Sequence, residues 1–263
     1  MINFNLKNKN ALVCGASSGI GKAAAVALAE LGANVTLLAR NSQNLELTIE
    51  EIKIKNPVAL LDYIACDISN HELLKLKIEE KTKNRTYNIL VNNTGGPPAG
   101  SIIHAEEHEF IQAFHNHLLS NHLLVKMLLQ GMKLDNYGRI INIISTSVKI
   151  PLPNLGVSNT IRAAVANWSK TMANELAVFG ITVNNVLPGA TNTDRLNAII
   201  QHKSIKLGKT IEDETAAMQK EIPMQRFAEA HEVAAAIAFL ASPAASYITG
   251  INIPVDGGRT GSL

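Results

Sequence analysis

The sequence predicts an α/β fold: one domain built on a doubly wound parallel sheet of seven strands, with helices on both faces. Three observations carry this reading. Short β-branched and aliphatic runs alternate with longer helical patterns almost to the end of the chain. The runs are near-continuously apolar, as strands are when helices cover both sheet faces. A glycine-rich turn follows the first run and opens a helix. The 263 residues suffice for one large core, and no internal repeat or low-complexity linker divides them.

The first strand spans 11–14 and runs into Gly15-Ala-Ser-Ser-Gly-Ile-Gly21, which opens an Ala-rich helix over 19–31. A second strand, 34–39, ends at Ala39-Arg40, and a helix follows over 42–54. Apolar residues from 58 to 65 make the third strand; Cys66-Asp67-Ile68 then leads to a helix over 70–82. The fourth strand, 89–92, reaches Asn92-Asn-Thr-Gly95. Beyond it, Gly95-Gly-Pro-Pro-Ala-Gly100 should form a rigid wall poor in side chains. A long helix over 106–132 carries Leu118, Leu119, Leu123, Leu124, Leu128 and Leu129, more than one apolar stripe. The fifth strand, 139–144, precedes a helix over 154–179 with Ile161, Val165, Trp168 and Met172. After the sixth strand, 182–187, the polar, helix-leaning segment 190–223 breaks the rhythm. A helix over 230–240 and a strand over 251–255 close the domain, 1–263. With right-handed crossovers, 190–223 overhangs the carboxyl ends of the strands, where such sheets bind ligands, and reads as a lid.

Composition excludes several classes of function. Lys+Arg 24 against Asp+Glu 22 leaves a formal charge of +2, which gives no electrostatic footprint for nucleic acid. The longest apolar stretch, 233–241, falls far short of the ~20 residues a bilayer requires, so no membrane partner is expected. The opening Met1-Ile-Asn-Phe-Asn-Leu-Lys7 has no basic region ahead of an apolar core, which points to a cytoplasmic protein. Cys14 and Cys66 both sit in apolar runs and read as reduced, buried thiols.

The first turn is the strongest chemical signal. Its glycines let backbone pass close to a pyrophosphate, and the helix N-terminus adds free amides and a positive dipole end. The spacing is G-x-x-x-G-x-G, with Gly15, Ser17, Ser18, Gly19, Ile20 and Gly21 as the cradle. At the end of the second strand, where an NAD site places a carboxylate for the ribose hydroxyl, Arg40 stands instead. A guanidinium matches a 2′-phosphate, so NADP(H) is favoured over NAD(H).

These residues resemble the short-chain dehydrogenase/reductase family, with its Rossmann-type fold, and the resemblance runs along essentially the whole chain. Asp67-Ile68 matches the pair that faces the adenine. Asn92-Asn93-Thr94-Gly95 matches the family's N-N-A-G signature, with Thr94 for Ala. Asn142-Ile-Ile-Ser145 ends the fifth strand where the family places its catalytic serine. Pro188-Gly189 with Thr191 and Thr193 resembles the segment holding the nicotinamide carboxamide, and Gly250 to Gly258 resembles the C-terminal strand and tail. Within the family the chain is most similar to the 3-oxoacyl-acyl-carrier-protein reductase group. The resemblance implies an NADP(H)-dependent oxidoreductase acting on a small-molecule or carrier-linked carbonyl, assembled as a homotetramer or homodimer.

The catalytic positions depart from that pattern. The family's tetrad is Asn, Ser, Tyr and Lys. Thirteen residues beyond Ser145, at the tyrosine position, is Ser158; four further, at the lysine position, is Arg162. The asparagine position falls on His117, beside His115 and Asn116. Ser145 alone survives. A serine hydroxyl is far less acidic than a phenol, and an arginine does not relay protons. Loss of a positioned general acid costs ~10²–10⁴-fold. Three readings follow: a reductase whose proton comes from His117 or from a water held by Ser145 and Ser158; a nucleotide-binding sensor or partner subunit with no turnover; or a site for a different, anionic substrate clamped by Arg162.

Two further patterns bear on the site. His104-Ala-Glu-Glu-His108 fits the H-x-x-E-H spacing of some zinc peptidases, but Pro97-Pro98 and Gly100 place His104 ahead of the helix, and no metal site is expected. In the lid, Ile199, Ile200, Ile205, Leu207, Met218 and Met224 are mixed with Lys203, Lys206 and Lys209. That suits an apolar lining with a basic rim for a fatty or carrier-linked chain, and equally a helix covering its own core.

Overall fold

The computed structural model describes residues 2–262; Met1, on which the N-terminal reading opens, and Leu263 lie outside the described residues. Seven strands form one sheet: β1 (Asn10–Cys14), β2 (Asn34–Ala39), β3 (Leu61–Ala65), β4 (Ile89–Asn92), β5 (Gly138–Ile143), β6 (Ile181–Pro188) and β7 (Asn252–Val255). Their order is β3-β2-β1-β4-β5-β6-β7, every pair parallel. The chain winds outward from β1 to β3, then returns to β4 and winds the other way. The order reverses between β1 and β4, and the crevice at their carboxyl ends is where such a sheet takes a ligand.

The strands are apolar on both sides because both sides are covered. Ala11 and Val13 of β1 join one buried layer, with Val35, Leu37, Ile89 and Val91. That layer packs under α1 (Gly19–Glu30), α2 (Ser42–Lys55) and α9 (Ala230–Ala241), through Leu28, Ile52 and Ile237 among others. Leu12 and Cys14 point to the opposite layer, with Leu38, Ile64 and Leu90. There α3 (His71–Thr82), α5 (Ser120–Leu134) and α6 (Gly156–Leu176) close the core with Leu74, Leu124, Leu128 and Leu176. This alternation is the period-2 pleat of a strand buried twice over. Cys14 and Cys66 are unpaired and buried.

Most boundaries agree with the sequence reading to within one residue, and four regions differ by more. The third strand begins at Leu61 rather than 58, where its ladder with β2 opens at Val35, and Val58 and Leu60 are exposed. The helix over 106–132 is not continuous: α4 (Glu107–Phe114) gives way to a π-helical turn, His115–Leu119, before α5. The helix over 154–179 starts at Gly156, since Asn154 is left-handed at φ 58°, and it ends in a 3-10 turn, Ala177–Phe179, at left-handed Gly180. Segment 190–223 holds two helices, α7 (Asp194–Leu207) and α8 (Ile211–Lys220), capped by Thr193 and Thr210. Ile200 and Met218 join Leu196, Ile222 and Phe227 in a small core of the segment's own, whereas Ile205, Leu207 and Met224 are exposed.

Candidate active site

The glycine turn is built by contacts that allow no side chain. A Cβ on Gly21 would stand 2.1 Å from the Gly15 carbonyl oxygen, and one on Gly15 would stand 2.6 Å from Asn93 Nδ2. Gly15 and Gly19 both have positive φ, 61° and 52°. Asn93 Nδ2 donates to the Cys14 carbonyl at 3.3 Å, tying β1's end to the segment after β4. The first turn of α1 contains no acidic residue, and Ser18 at its N-cap makes no side-chain cap bond. Its amides are therefore left for an anion, whereas α2, α3, α7 and α8 are all capped by a side chain. Ser17 is half-buried, Ser18 exposed, and Ile20 packs on the core below.

The remaining cofactor positions gather around this turn. The Thr193 methyl lies 3.1 Å from where a Gly19 Cβ would be, so the root of the lid overlies the cradle. Pro188 and Gly189 end β6 against β7, the Gly189 amide donating to the Val255 carbonyl at 2.9 Å; Thr191 is buried beside Gly189 and donates to its carbonyl. On the other side Arg40 is exposed at the end of β2, within Coulombic reach of Asp67. Desolvation pushes the Asp67 carboxyl up; hydrogen bonds from the Ser69 amide and hydroxyl, and the Arg40 charge, outweigh it and hold the group below the usual carboxylate range. The Ile68 carbonyl accepts from the Ser120 hydroxyl at 3.1 Å. A cradle that a Cβ would fill, an uncapped helix start and a cation at the end of β2 are together what a phosphorylated dinucleotide needs.

Of the catalytic candidates, His117 is tied to the segment leaving β4 and Arg162 to the end of β5. Ser145 follows β5, and its Oγ accepts from the Ser147 amide at 3.1 Å. Ser158 and Arg162 lie one turn apart on α6, both turned inward at 7% and 8% exposure. Arg162 Nη1 donates to the Ile143 carbonyl at 2.7 Å. No hydrogen bond joins Ser145 to Ser158 among the described residues. The π turn carries His117 inward, where its Nδ1 lies 2.5 Å from the Thr94 hydroxyl. Burial, and then the charges of Arg162 and Arg195, pull His117 down to about 3. Its imidazole is neutral at working pH, and an imidazolium donor is absent there. Burial, then Arg195, lowers Arg162 to about 10, which still leaves a cation.

The sequence reading missed two features. Arg195, in the first turn of α7, reaches across the cleft and donates to the carbonyls of Gly96 (3.1 Å) and Pro97 (3.4 Å). A cation in a helix's first turn opposes the dipole, and that misplacement was its only signal. Beneath the site, asparagines at matching register cross four strands. Asn92 Nδ2 donates to Asn142 Oδ1 at 2.8 Å, Asn142 Nδ2 to Asn185 Oδ1 at 3.1 Å and to Ser169 Oγ at 2.8 Å, and Asn185 Nδ2 to Asn252 Oδ1 at 2.8 Å. An asparagine within each of four apolar strands, two of them adjacent in β6, was legible as a pattern. The two histidines of the zinc-like spacing stand on different elements: His104 ends the 3-10 turn Ile102–His104 and His108 lies within α4. No three metal-ligating side chains gather among the described residues.

Comparison with known proteins agrees with this geometry. A family model described as Enoyl-(Acyl carrier protein) reductase matches residues 15–260. The NADPH-dependent reductase BacG of Bacillus subtilis is 33% identical over 260 residues, 98% of this chain and 100% of that protein. The 3-oxoacyl-acyl-carrier-protein reductase FabG of Vibrio cholerae is 34% identical over 258 residues, 97% of this chain and 98% of that one. The crystal structure of YwfH, an NADPH-dependent reductase involved in bacilysin biosynthesis, superposes with a TM-score of 0.93. Its sequence is 32% identical, and the match covers 97% of this chain and 99% of that one.

Proposed function

Because the chain belongs to the short-chain dehydrogenase/reductase family, we propose that it is an NADP(H)-dependent oxidoreductase interconverting a carbonyl and an alcohol. The observation that carries this is the cradle of Gly15, Gly19 and Gly21 against Asn93 and Thr193, at the switch point of the sheet. Gly15, Ser17, Ser18, Gly19, Ile20 and Gly21 would hold the pyrophosphate and Arg40 the 2′-phosphate. Asp67 and Ile68 would face the adenine, Asn93, Thr94 and Gly95 would support the central ribose and ring, and Pro188, Gly189, Thr191 and Thr193 would hold the carboxamide. The bound nicotinamide supplies the hydride.

The chain's own task is to manage the charge on the substrate oxygen. Arg162 presents a fixed cation in a nearly buried setting, and such preorganised stabilisation is typically worth about 3–4 kcal/mol of barrier. The hydroxyls of Ser145 and Ser158 orient the oxygen and a water, and that water delivers the proton, since His117 is neutral. His117 acts by hydrogen-bonding Thr94 and fixing the turn that carries it. The half-buried strip of Leu118 in the π turn, Leu123 and Leu129 on α5, and Trp168 and Met172 on α6 supports assembly as a homotetramer or homodimer.

The test is a fluorescence titration with NADPH and NADH, followed by a carbonyl screen. The expected outcome is tighter uptake of NADPH and carbonyl-dependent oxidation of it. Uptake without oxidation of NADPH by any carbonyl would replace this reading with the sensor or partner role, which the absence of the tyrosine and lysine favours. Failure to take up either nucleotide would end both.

A further inference from the structure

Two arginines face the reaction site and no acid answers them. Arg162 is 8% exposed; one of its nitrogens is committed to the Ile143 carbonyl, and no carboxylate lies within 4 Å of it among the described residues. Arg139 shows what a self-sufficient buried guanidinium looks like in this molecule. It is lodged against the carbonyls of Gly138, Gly180 and Ser242 and stacked 4.0 Å from the Tyr137 ring. Arg162 has one such partner, the carbonyl of Ile143 at the carboxyl end of β5. Arg195 reaches over the same cleft from α7, held by two wall carbonyls and disfavoured by its own helix dipole. Each arginine's charge registers on His117, and that of Arg195 registers on Arg162; no carboxylate contributes to the field at any of the three. Burying a cation without a counter-ion is costly, and a planar carboxylate on a guanidinium fork recovers that cost in two parallel bonds.

We propose that Arg162 and Arg195 form a two-cation clamp for a carboxylate, so that the substrate is an oxo acid whose acid group lies beside its reducible carbonyl. This rests on the reading above that the cleft takes NADPH and reduces a carbonyl. The inner cation, Arg162, lies one helical turn from Ser158 and so sits beside the reacting carbon. The outer one, Arg195, exchanges its contacts with Gly96 and Pro97 for the incoming acid. His117, held neutral by burial and by both charges, adds no competing charge. The anion could in principle be the cofactor's own pyrophosphate, since Thr193 at the root of α7 touches the glycine turn. The test separates the two.

NADPH-saturated protein is titrated with 2-oxo-4-phenylbutanoate and with its ethyl ester, and binding is read from bound-NADPH fluorescence, so that turnover is not required. The acid is expected to bind at least tenfold more tightly than the ester, with the preference shrinking as salt is raised. Arg195→Gln is expected to abolish the preference while leaving NADPH affinity within twofold; Arg162→Gln, if it folds, does the same to the preference. Equal binding of acid and ester to the wild type overturns the proposal. So does a preference that survives Arg195→Gln, or a loss confined to NADPH affinity in that variant, which would assign Arg195 to the cofactor. A protein that takes up no NADPH fails at the earlier step, visibly before any acid is added, and sinks both readings.

Discussion

The imidazole Nδ1 of His117 lies 2.5 Å from the hydroxyl of Thr94, joining the π turn ahead of α5 to the segment that leaves β4. Both residues depart from the family's pattern, which has asparagine and alanine there, and they depart as a pair. A small apolar residue at 94 could not receive the imidazole; a threonine can. The bond holds His117 in a buried place where desolvation, and then the charges of Arg162 and Arg195, oppose its protonation.

That opposition has a consequence for stability. His117 is held near 3 in the folded chain against an ordinary 6.5 when unfolded. Between those values the unfolded chain binds a proton that the folded chain refuses, so stability falls as pH drops below about 6.5. At pH 4.5 the loss from this residue is roughly 2–3 kcal/mol. Urea midpoints at pH 7 and 4.5 should show His117→Asn losing less than the wild type by about that amount. Equal losses, or an NMR titration placing His117 between 6 and 7, would overturn the account.

Arg40 is exposed and makes no hydrogen bond or ion pair among the described residues, though its charge is felt at Asp67. A 2′-phosphate would give it a charge-assisted partner worth roughly 1.5–3 kcal/mol. Arg40→Ala is therefore expected to weaken NADPH binding by about 10–100-fold and to leave NADH binding unchanged. Parallel weakening of both nucleotides would mean that Arg40 serves the adenine pocket generally rather than the phosphate.

The asparagine ladder should be cooperative. Asn142, fully buried, bonds Asn92, Ser169 and Asn185 together; Asn252, at the outer end, accepts one bond and is half-buried. Asn142→Ala leaves the buried Asn92 Nδ2 without its acceptor and takes one bond each from Ser169 Oγ and Asn185 Oδ1, which keep their own bond of 2.7 Å. It is expected to cost about 2–4 kcal/mol, against under about 1.5 for Asn252→Ala. Urea unfolding with unchanged slope measures both. Similar small losses at the two sites would show that the ladder is a row of independent bonds.

How much of this was legible follows from the range of the forces involved. Strand and helix positions are written in local apolar period, which is why 34–39 and 89–92 coincide with β2 and β4. The glycine cradle was legible because steric exclusion restricts residue type at those very positions. The π turn was not, since it is held by tertiary partners: the His71–His115 stack at 4.0 Å, and His71 Nε2 paired with Ser120 Oγ at 2.9 Å. Those partners lie as much as 49 residues apart, as His71 and Ser120 do. The state of His117 escaped for the same reason. Burial and two arginines, one of them 78 positions away by number, decide what its own sequence neighbours leave open.

The last expectation concerns the missing phenol. Ser158 and Arg162 share an inward face of α6, so Ser158→Tyr with Arg162→Lys would rebuild the pair that the family uses at those positions. A lysine ammonium keeps the charge but gives up the Nη1 bond to Ile143, and a cation beside a phenol lowers its pKa toward a working range. A positioned general acid typically contributes ~10²–10⁴-fold, so the double variant is expected to raise kcat/KM for a neutral ketone by about 10²-fold or more. Each single variant should gain far less, because the phenol and the ammonium act as a unit. A new limb should appear in the pH–rate profile, absent from the wild type, where neither Ser158 nor His117 titrates near neutrality. The oxo-acid preference should weaken in the same protein, since a point charge grips a carboxylate less specifically than a fork. If the double variant binds NADPH and shows neither the gain nor the new limb, the lost tyrosine is not what sets the chemistry of this site.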